Sequence, residues 1–339
     1  MDRHELPPLL HIHQRMVTAY WTSHALHAAA TLGLPDALRD GPKSAEELGA
    51  ATGTHAPTVF RLLRALAGLG LFSTDTDGRF ALTPLGHYLR SDHPQSIRAW
   101  AIALNEPWFH RAWEGLTDTL RTGEVAFDKA HGMGFWAYCA AHPDAGALFD
   151  AGMTSGSTAL ARALIAACDM TGMQTVVDVG GGQGRLLAEV LRGQPHLRGI
   201  LFDQHQVVDG AEPVLREAGV LDRCQIVGGS ISEEVPRGGD GYILSRILHD
   251  WDDADAAAIL RSCQRAMAPD ARLLLIEQVV PPGDDYAWSK LSDLNMLVLF
   301  GGRERTEAEF QQLLDSTGFR LTAVHPTATS WAVVEAVRV

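Results

Sequence analysis

The residues best placed to do chemistry stand at two strand ends and a turn. His249 follows the apolar run Tyr242–Ser245, Glu277 closes the run that begins at Arg272, and Glu304 lies in Gly301-Gly302-Arg303-Glu304-Arg305-Thr306. Histidine titrates near neutral pH, so a positioned imidazole can take a proton from a phenol or enol hydroxyl. A nearby carboxylate then steadies the cation that results. One histidine with one or two acids is therefore a proton-abstraction set. Asp250 adjoins His249, but neighbours on a loop or helix seldom face each other, and it receives no role. A metal reading of His249, Asp250 and Glu277 is set aside because no second histidine keeps ligand spacing.

These side chains meet only if the elements that carry them share one sheet edge. From Gln174 onward strands and helices alternate, as in a parallel sheet with helices on both faces. Such a sheet holds its ligands beyond the carboxyl ends of its strands. The first strand is the β-branched run Val176, Val177 and Val179 with Asp178 near its end, broken at once by Gly180-Gly181-Gly182-Gln183-Gly184. A helix from Arg185 to Leu191 follows. Glycines allow positive φ and let a ligand lie on bare backbone, where helix N-terminal N–H groups meet its polar atoms. A second strand ends in Asp203, 25 residues after Asp178, where a doubly wound sheet puts the acid that holds a ribose hydroxyl pair. A structural turn would explain the glycines alone, and a solvated loop acid would explain Asp203 alone. Their succession favours a nucleotide-type ligand. Further strands are expected at Gln225–Val227, Gly241–Ser245, 272–278, and a final pair near 319–324 and 331–337.

The first third of the chain reads differently. Residues from about Leu9 to Leu38 have helical spacing and few charges on any face, which predicts an apolar helix packed against another subunit. Its histidines, with His4, read as packed rather than metal-binding. Ser44 with Glu47 forms a capping box, two helices follow, and short strands flank Asp75-Thr76-Asp77-Gly78. Helix-turn-helix plus hairpin is a winged-helix arrangement, so DNA binding has to be weighed. Between Ser44 and Arg90 four arginines face four acids, and the whole chain carries a net charge of −13. A nucleic-acid reader needs excess positive charge, so a dimerisation role is expected instead. Between Ala99 and Cys168 aromatic residues concentrate, among them Trp136 and Phe149 with Met153, as a pocket wall for a flat ligand would require. No apolar run is long enough to cross a bilayer, the residues Met1–Glu5 show no signal-peptide pattern, and the four cysteines are scattered without Cys-x-x-Cys pairing. These features predict a cytoplasmic protein with reduced thiols, no membrane contact and no zinc site.

Taken together, Asp178 to Gly184, Phe202-Asp203, Val235-Pro236, Ile247-Leu248-His249-Asp250-Trp251, Ile276-Glu277 and Gly302 to Thr306 resemble the small-molecule O-methyltransferases that use S-adenosylmethionine (SAM). These include plant caffeic acid O-methyltransferases and bacterial natural-product tailoring enzymes. The resemblance covers nearly the whole chain. It implies a class I methyltransferase Rossmann-like doubly wound sheet at 171–339, a helical connector at 99–170 forming part of the acceptor pocket, and an N-terminal winged-helix dimerisation domain at 1–98. It implies SAM as cofactor, S-adenosylhomocysteine as product, a phenolic or other aromatic acceptor and a homodimer. Residue by residue, it implies that Asp178, Gly180, Gly182 and Ser157 lie along SAM, that Asp203 holds the ribose, and that Ser230 and Ile231 flank the adenine with Arg246 close by. His249 would be the base, Glu277 and Glu304 its carboxylate partners, and Trp136, Phe149, Met153, Asn295 and Met296 the acceptor pocket. Where the family usually has Gly-Asp before a bulky apolar residue, this chain has Gly229-Ser230-Ile231, so altered adenine contact is expected. Competing readings are a homologue diverted to hydroxylation, decarboxylation or pericyclic chemistry, and a winged-helix ligand sensor.

Overall fold

A computed structural model describes residues 7–231 and 233–339. They form two compact units: the chain up to Arg111 with Cys139–Ser155, and Ala112–Tyr138 with Gly156–Val339. The stretch 99–170, expected as one connector, is divided between them.

In the first unit α1 (Ala19–Thr31), α2 (Ala45–Thr52) and α3 (Ala56–Gly68) precede the hairpin β1 (Phe72–Thr74) and β2 (Phe80–Leu82), and α4 (Arg98–Ala103) and α5 (Pro143–Thr154) complete it. The capping box is formed: Glu47 N donates to Ser44 Oγ at 3.3 Å, and Ser44 N donates to Glu47 Oε2 at 2.7 Å. Val59, Leu63 and Leu66 repeat at helical spacing and enter one core with Leu34, Leu48, Phe72 and Phe80. The hairpin turn is fixed by Asp75 Oδ1, which accepts the N–H groups of Asp77 and Arg79. The long helix expected from Leu9 to Leu38 is broken. Thr18 leaves helical geometry with its hydroxyl donating to the Gln14 carbonyl, and Gly33 at φ +68° ends α1. Leu9, Ile12, Met16, Tyr20 and Trp21 are exposed. His24 stacks on His110, and among the described residues the histidines of this stretch join no group of three donor side chains. His4 lies outside the described residues.

The second unit is built on a seven-stranded sheet. After α6 (Ser157–Ala167) come β3 (Thr175–Val179), α7 (Arg185–Gly193), β4 (Arg198–Asp203), β5 (Cys224–Gly228), β6 (Gly241–Ser245), α8 (Asp253–Ala266) and β7 (Arg272–Glu277). Then come α9 (Trp288–Leu299), α10 (Glu307–Asp315), β8 (Phe319–Pro326) and β9 (Ala332–Arg338). The order is β5-β4-β3-β6-β7-β9-β8, with β3 to β7 parallel and β9 antiparallel to both its neighbours, so the sheet is mixed. Alternation sorts the strands onto two covered faces. Val177, Val179, Tyr242, Leu244, Leu273, Leu275 and Val334 enter one core, while Val176, Leu201, Ile243, Leu274, Ile276 and Val333 enter the other. Strand order reverses beside β3, which places the glycine turn at the switch point where such sheets open a crevice.

Candidate active site

The turn after β3 has the geometry its glycines require. Gly180 and Gly182 take φ +72° and +60°, a region open to glycine at little cost. No atom lies within 4 Å of the place a Gly182 Cβ would occupy, so its backbone faces open space. Asp203, at the end of β4, accepts the Gly182 N–H at 2.8 Å and the Gln204 N–H at 2.7 Å, one on each oxygen. Each oxygen keeps lone-pair capacity for a diol. Asp178 is fully buried beneath the turn, and neither of its oxygens has a hydrogen-bond partner of normal geometry. Burial, reinforced by the Asp203 charge, pushes its carboxyl up to about 7.

The second constellation sits at the carboxyl ends of β6 and β7. Arg246 leaves β6 at φ +59°, a rare conformation for a residue with a Cβ, and its N–H donates to Ile276 O at 2.9 Å. Glu277 Oε1 accepts the N–H groups of Ile247 and Leu248 at 3.1 and 2.8 Å, which fixes the loop that presents His249. His249 is 7% exposed. Its Nδ1 donates to Glu304 Oε1 at 3.2 Å and lies 3.7 Å from Glu277 Oε2. Glu304 Oε1 also accepts from Ser292 Oγ on α9 at 2.7 Å, and Ser292 Oγ accepts from Gln278 Nε2. The three expected residues are thus brought together.

Asp250, left without a role in the sequence, faces the imidazole after all. Its Oδ1 lies 3.5 Å from His249 Nε2. The single helical turn Leu248–Asp250 curls the chain tightly enough for adjacent side chains to converge. Arg305 was also missed. It is fully buried, donating to the carbonyls of Leu248 at 2.8 Å and Trp251 at 3.0 Å and to Asp253 Oδ1 through two nitrogens. The only sequence signal for it was an arginine inside the Gly302–Thr306 motif. Gly302 lets that turn lie flat on the loop, since a Cβ there would overlap the His249 carbonyl oxygen, which accepts the Arg303 N–H.

Electrostatics favour a charged imidazole. Burial lowers the His249 pKa, but Glu277, Asp250 and Glu304 outweigh it and hold it up at about 9. Burial pushes the Asp250 carboxyl up to about 7 and raises Glu277 as well. Arg246 stands among Glu277, Asp178 and Asp250, and burial nevertheless lowers it to about 10. Trp331 meets the His249 ring edge-on, centroids 5.8 Å apart, and the Arg246 guanidinium lies 6.0 Å from the Trp331 centroid.

The remaining expected residues are distributed as follows. Ser157 opens α6 and is buried, and Ser230 and Ile231 follow β5, half-buried. Asn295 Oδ1 accepts the Trp113 Nε1 proton at 3.1 Å, Met296 is buried, and Trp136 stacks on Phe300. All of these belong to the second unit, as do the glycine turn and His249. Phe149, packed edge-on against Trp100, and Met153 belong to the first.

A family model for the O-methyltransferase domain matches residues 113–320, and one for the O-methyltransferase dimerisation domain matches residues 14–92. The chain belongs to the O-methyltransferase family. It is 45% identical over 329 residues to the phenazine O-methyltransferase PhzM of Lysobacter antibioticus, covering 97% of this chain and 96% of that one. It is 42% identical over 302 residues to a mitomycin biosynthesis 6-O-methyltransferase of Streptomyces lavendulae, covering 89% and 86%. A phenazine-1-carboxylate N-methyltransferase of Pseudomonas aeruginosa is 34% identical over 310 residues, covering 91% and 92%. Among solved structures, LaPhzM matches with a TM-score of 0.93 at 44% identity, covering 98% of this chain and all of that one. The O-methyltransferase NcsB1 from neocarzinostatin biosynthesis, in complex with SAM and 2-hydroxy-5-methyl naphthoic acid, matches with a TM-score of 0.76 at 36% identity, covering 94% and 96%. The protein is a SAM-dependent O-methyltransferase with a class I methyltransferase fold. The turn fits SAM on its own geometry: open backbone at Gly182, a diol-ready carboxylate at Asp203 and an unpartnered buried carboxylate at Asp178. Among the described residues, no helix is long and apolar enough to cross a membrane.

Proposed function

We propose that this O-methyltransferase methylates a hydroxyl, phenolic in character, on an aromatic small molecule, with His249 as general base. The buried His249–Glu304 pair, on a loop held by Glu277 and Arg305, carries the reading. Gly180, Gly182, Asp178, Asp203, Ser157, Ser230, Ile231 and Arg246 are the residues that would hold SAM. When bound, SAM supplies an electrophilic methyl group on a sulfonium whose departure as a neutral thioether requires no Lewis acid. The chain's own task is to hold the acceptor oxygen in line and to take its proton. Glu304 on Nδ1 fixes the tautomer, leaving Nε2 to face the acceptor. With Glu277, Asp250 and Glu304 raising the His249 pKa to about 9, Nε2 has a proton to shed before it acts as the base. Asp250 Oδ1, 3.5 Å away, is the neighbouring group able to receive it.

Aromatic acceptors agree with the naphthoate held by NcsB1, and the match to a dimerisation domain supports a homodimer. Trp136, Asn295 and Met296 are proposed to line the acceptor pocket. N-methylation is a second reading, favoured by the Pseudomonas relative. A nitrogen acceptor has its own lone pair and leans less on the base. The test is His249→Ala with a panel of phenols and aryl amines after chelator treatment. A loss of about 10²–10⁴ in kcat on phenols with unchanged SAM affinity is expected. Full activity of His249→Ala on a phenol would overturn the assignment.

A further inference from the structure

On the face of the sheet opposite Glu277 the fold assembles a second set of donor side chains. Cys168 follows α6, His325 lies on β8 and Glu335 on β9, and their ligand atoms fall within 4.8 Å of one another. Pairing explains the convergence. His325 stands across from Val333, and Glu335 is two residues further along the same strand, so both project onto the face that carries Val333, Leu274 and Cys168. Glu277 alternates with Leu273 and Leu275 and belongs to the other face.

The details fit a cation better than a plain hydrogen-bonded cluster. His325 Nε2 is buried with no hydrogen-bond partner, and it stands 3.5 Å from Glu335 Oε2. That is long for a hydrogen bond, and close to the roughly 3.3 Å edge that oxygen and nitrogen ligands span on a tetrahedral zinc with bonds of about 2.0–2.1 Å. Glu335 Oε1 accepts from Arg272 Nε at 2.7 Å, which leaves Oε2 for the cation. Arg272 opposes a positive ion, but its bond to Oε1 also orients the carboxylate so that Oε2 faces His325. With the thiol deprotonated, a neutral imidazole, one carboxylate and one guanidinium give a site of net charge −1. Three protein ligands of S, N and O type suit zinc, with a water in the fourth position.

We propose that Cys168, His325 and Glu335 bind a divalent ion of the zinc type, one per chain, which ties the end of α6 to the β8–β9 hairpin. The site is separate from the methyl-transfer residues and contains sulfur, which His249, Glu277 and Glu304 do not. Cobalt(II) therefore distinguishes the two. Metal-stripped full-length protein titrated with Co(II) is expected to develop a thiolate-to-cobalt charge-transfer band in the near ultraviolet at one equivalent, reversed by added Zn(II). The band is expected to persist in His249→Ala and to vanish in Cys168→Ser. His325→Ala, at a half-buried strand position, is expected to keep the fold by circular dichroism and weaken binding about tenfold or more. No band in the wild-type protein, or a band that survives in Cys168→Ser, would overturn the proposal. So would unchanged affinity in His325→Ala.

Discussion

Replacing Asp250 by Asn tests the electrostatics of the site most directly, because it removes a charge and keeps the shape. Asp250 Oδ1 is 3.5 Å from His249 Nε2, and its own pKa of about 7 leaves it ionised over the range in which His249 titrates. Two unit charges at this separation interact by about 4.7 kcal/mol at an effective dielectric constant of about 20, an upper bound of roughly 3.5 pKa units. A neighbouring opposite charge commonly moves a pKa by about 1–3 units. The His249 pKa is therefore expected to fall from about 9 into the range of about 6–8. At pH 7 the neutral fraction would rise from about 1% to between roughly 10% and 90%. The assay is the imidazole Cε1 proton resonance of the ligand-free protein against pH, with His249→Gln to assign it. The low-pH limb of kcat/KM for the acceptor should move down in parallel, its height lowered by the weaker base. An unchanged or higher His249 pKa in Asp250→Asn would refute the reasoning, and so would a wild-type imidazole already neutral at pH 7.

The other groups around the site give sharp expectations. Gly302→Ala places a methyl group on the His249 carbonyl and must displace the loop, so kcat should fall by up to about 10²-fold with SAM affinity kept, as separate calorimetry and turnover measurements would show. Arg305→Met leaves the Leu248 and Trp251 carbonyls without their donor and is expected to cost about 2–5 kcal/mol in denaturant unfolding. A midpoint like wild type would deny Arg305 its clamping role. Asp178 titrates near 7 folded against 3.8 unfolded, so its favourable contribution is complete below pH 3.8 and is lost as pH rises through about 7. The stability of Asp178→Asn relative to wild type should therefore increase between pH 4 and pH 8 by up to about 4 kcal/mol, and a gap that does not widen would contradict the burial of that carboxylate.

How much of this was legible in the sequence depends on the range of the interaction that fixes each part. The strands of the second unit announced themselves because β-branched runs buried on both faces leave an unbroken apolar signature, and the glycines of 180–184 marked the one turn where backbone had to lie bare. His249, Glu277 and Glu304 were legible through position: the first two follow or end parallel strands, which share an edge, and the third lies in a glycine turn before a helix. The break at Thr18 was not, because no Gly or Pro stands between Leu9 and Thr31 and both flanks are helical, so the one local mark of the interruption is the Thr18 hydroxyl bond to the Gln14 carbonyl. Nor was the antiparallel β9 between β7 and β8, since alternation fixes which face a residue takes and not the direction of its neighbour.

Asp250 and Arg305 show a different limit. Sequence adjacency argued against contact between His249 and Asp250, and that holds for a regular helix or strand. A lone tight turn obeys neither period, so only its coordinates reveal that the carboxylate turns back onto Nε2. Arg305 received no role in the sequence, yet it is the buried group that closes the loop, because the Leu248 and Trp251 carbonyls point inward and have to be met by a donor. The histidine can thus be raised to about 9 without its loop yielding: Arg305 and Gly302 set its position through backbone contacts, Glu304 and Asp250 act on its charge through the ring, and Glu277 does both, holding the loop with Oε1 and raising the imidazole pKa with its charge. Asp250→Asn thus alters proton affinity while Gly302→Ala and Arg305→Met alter position, so the variants above separate the two.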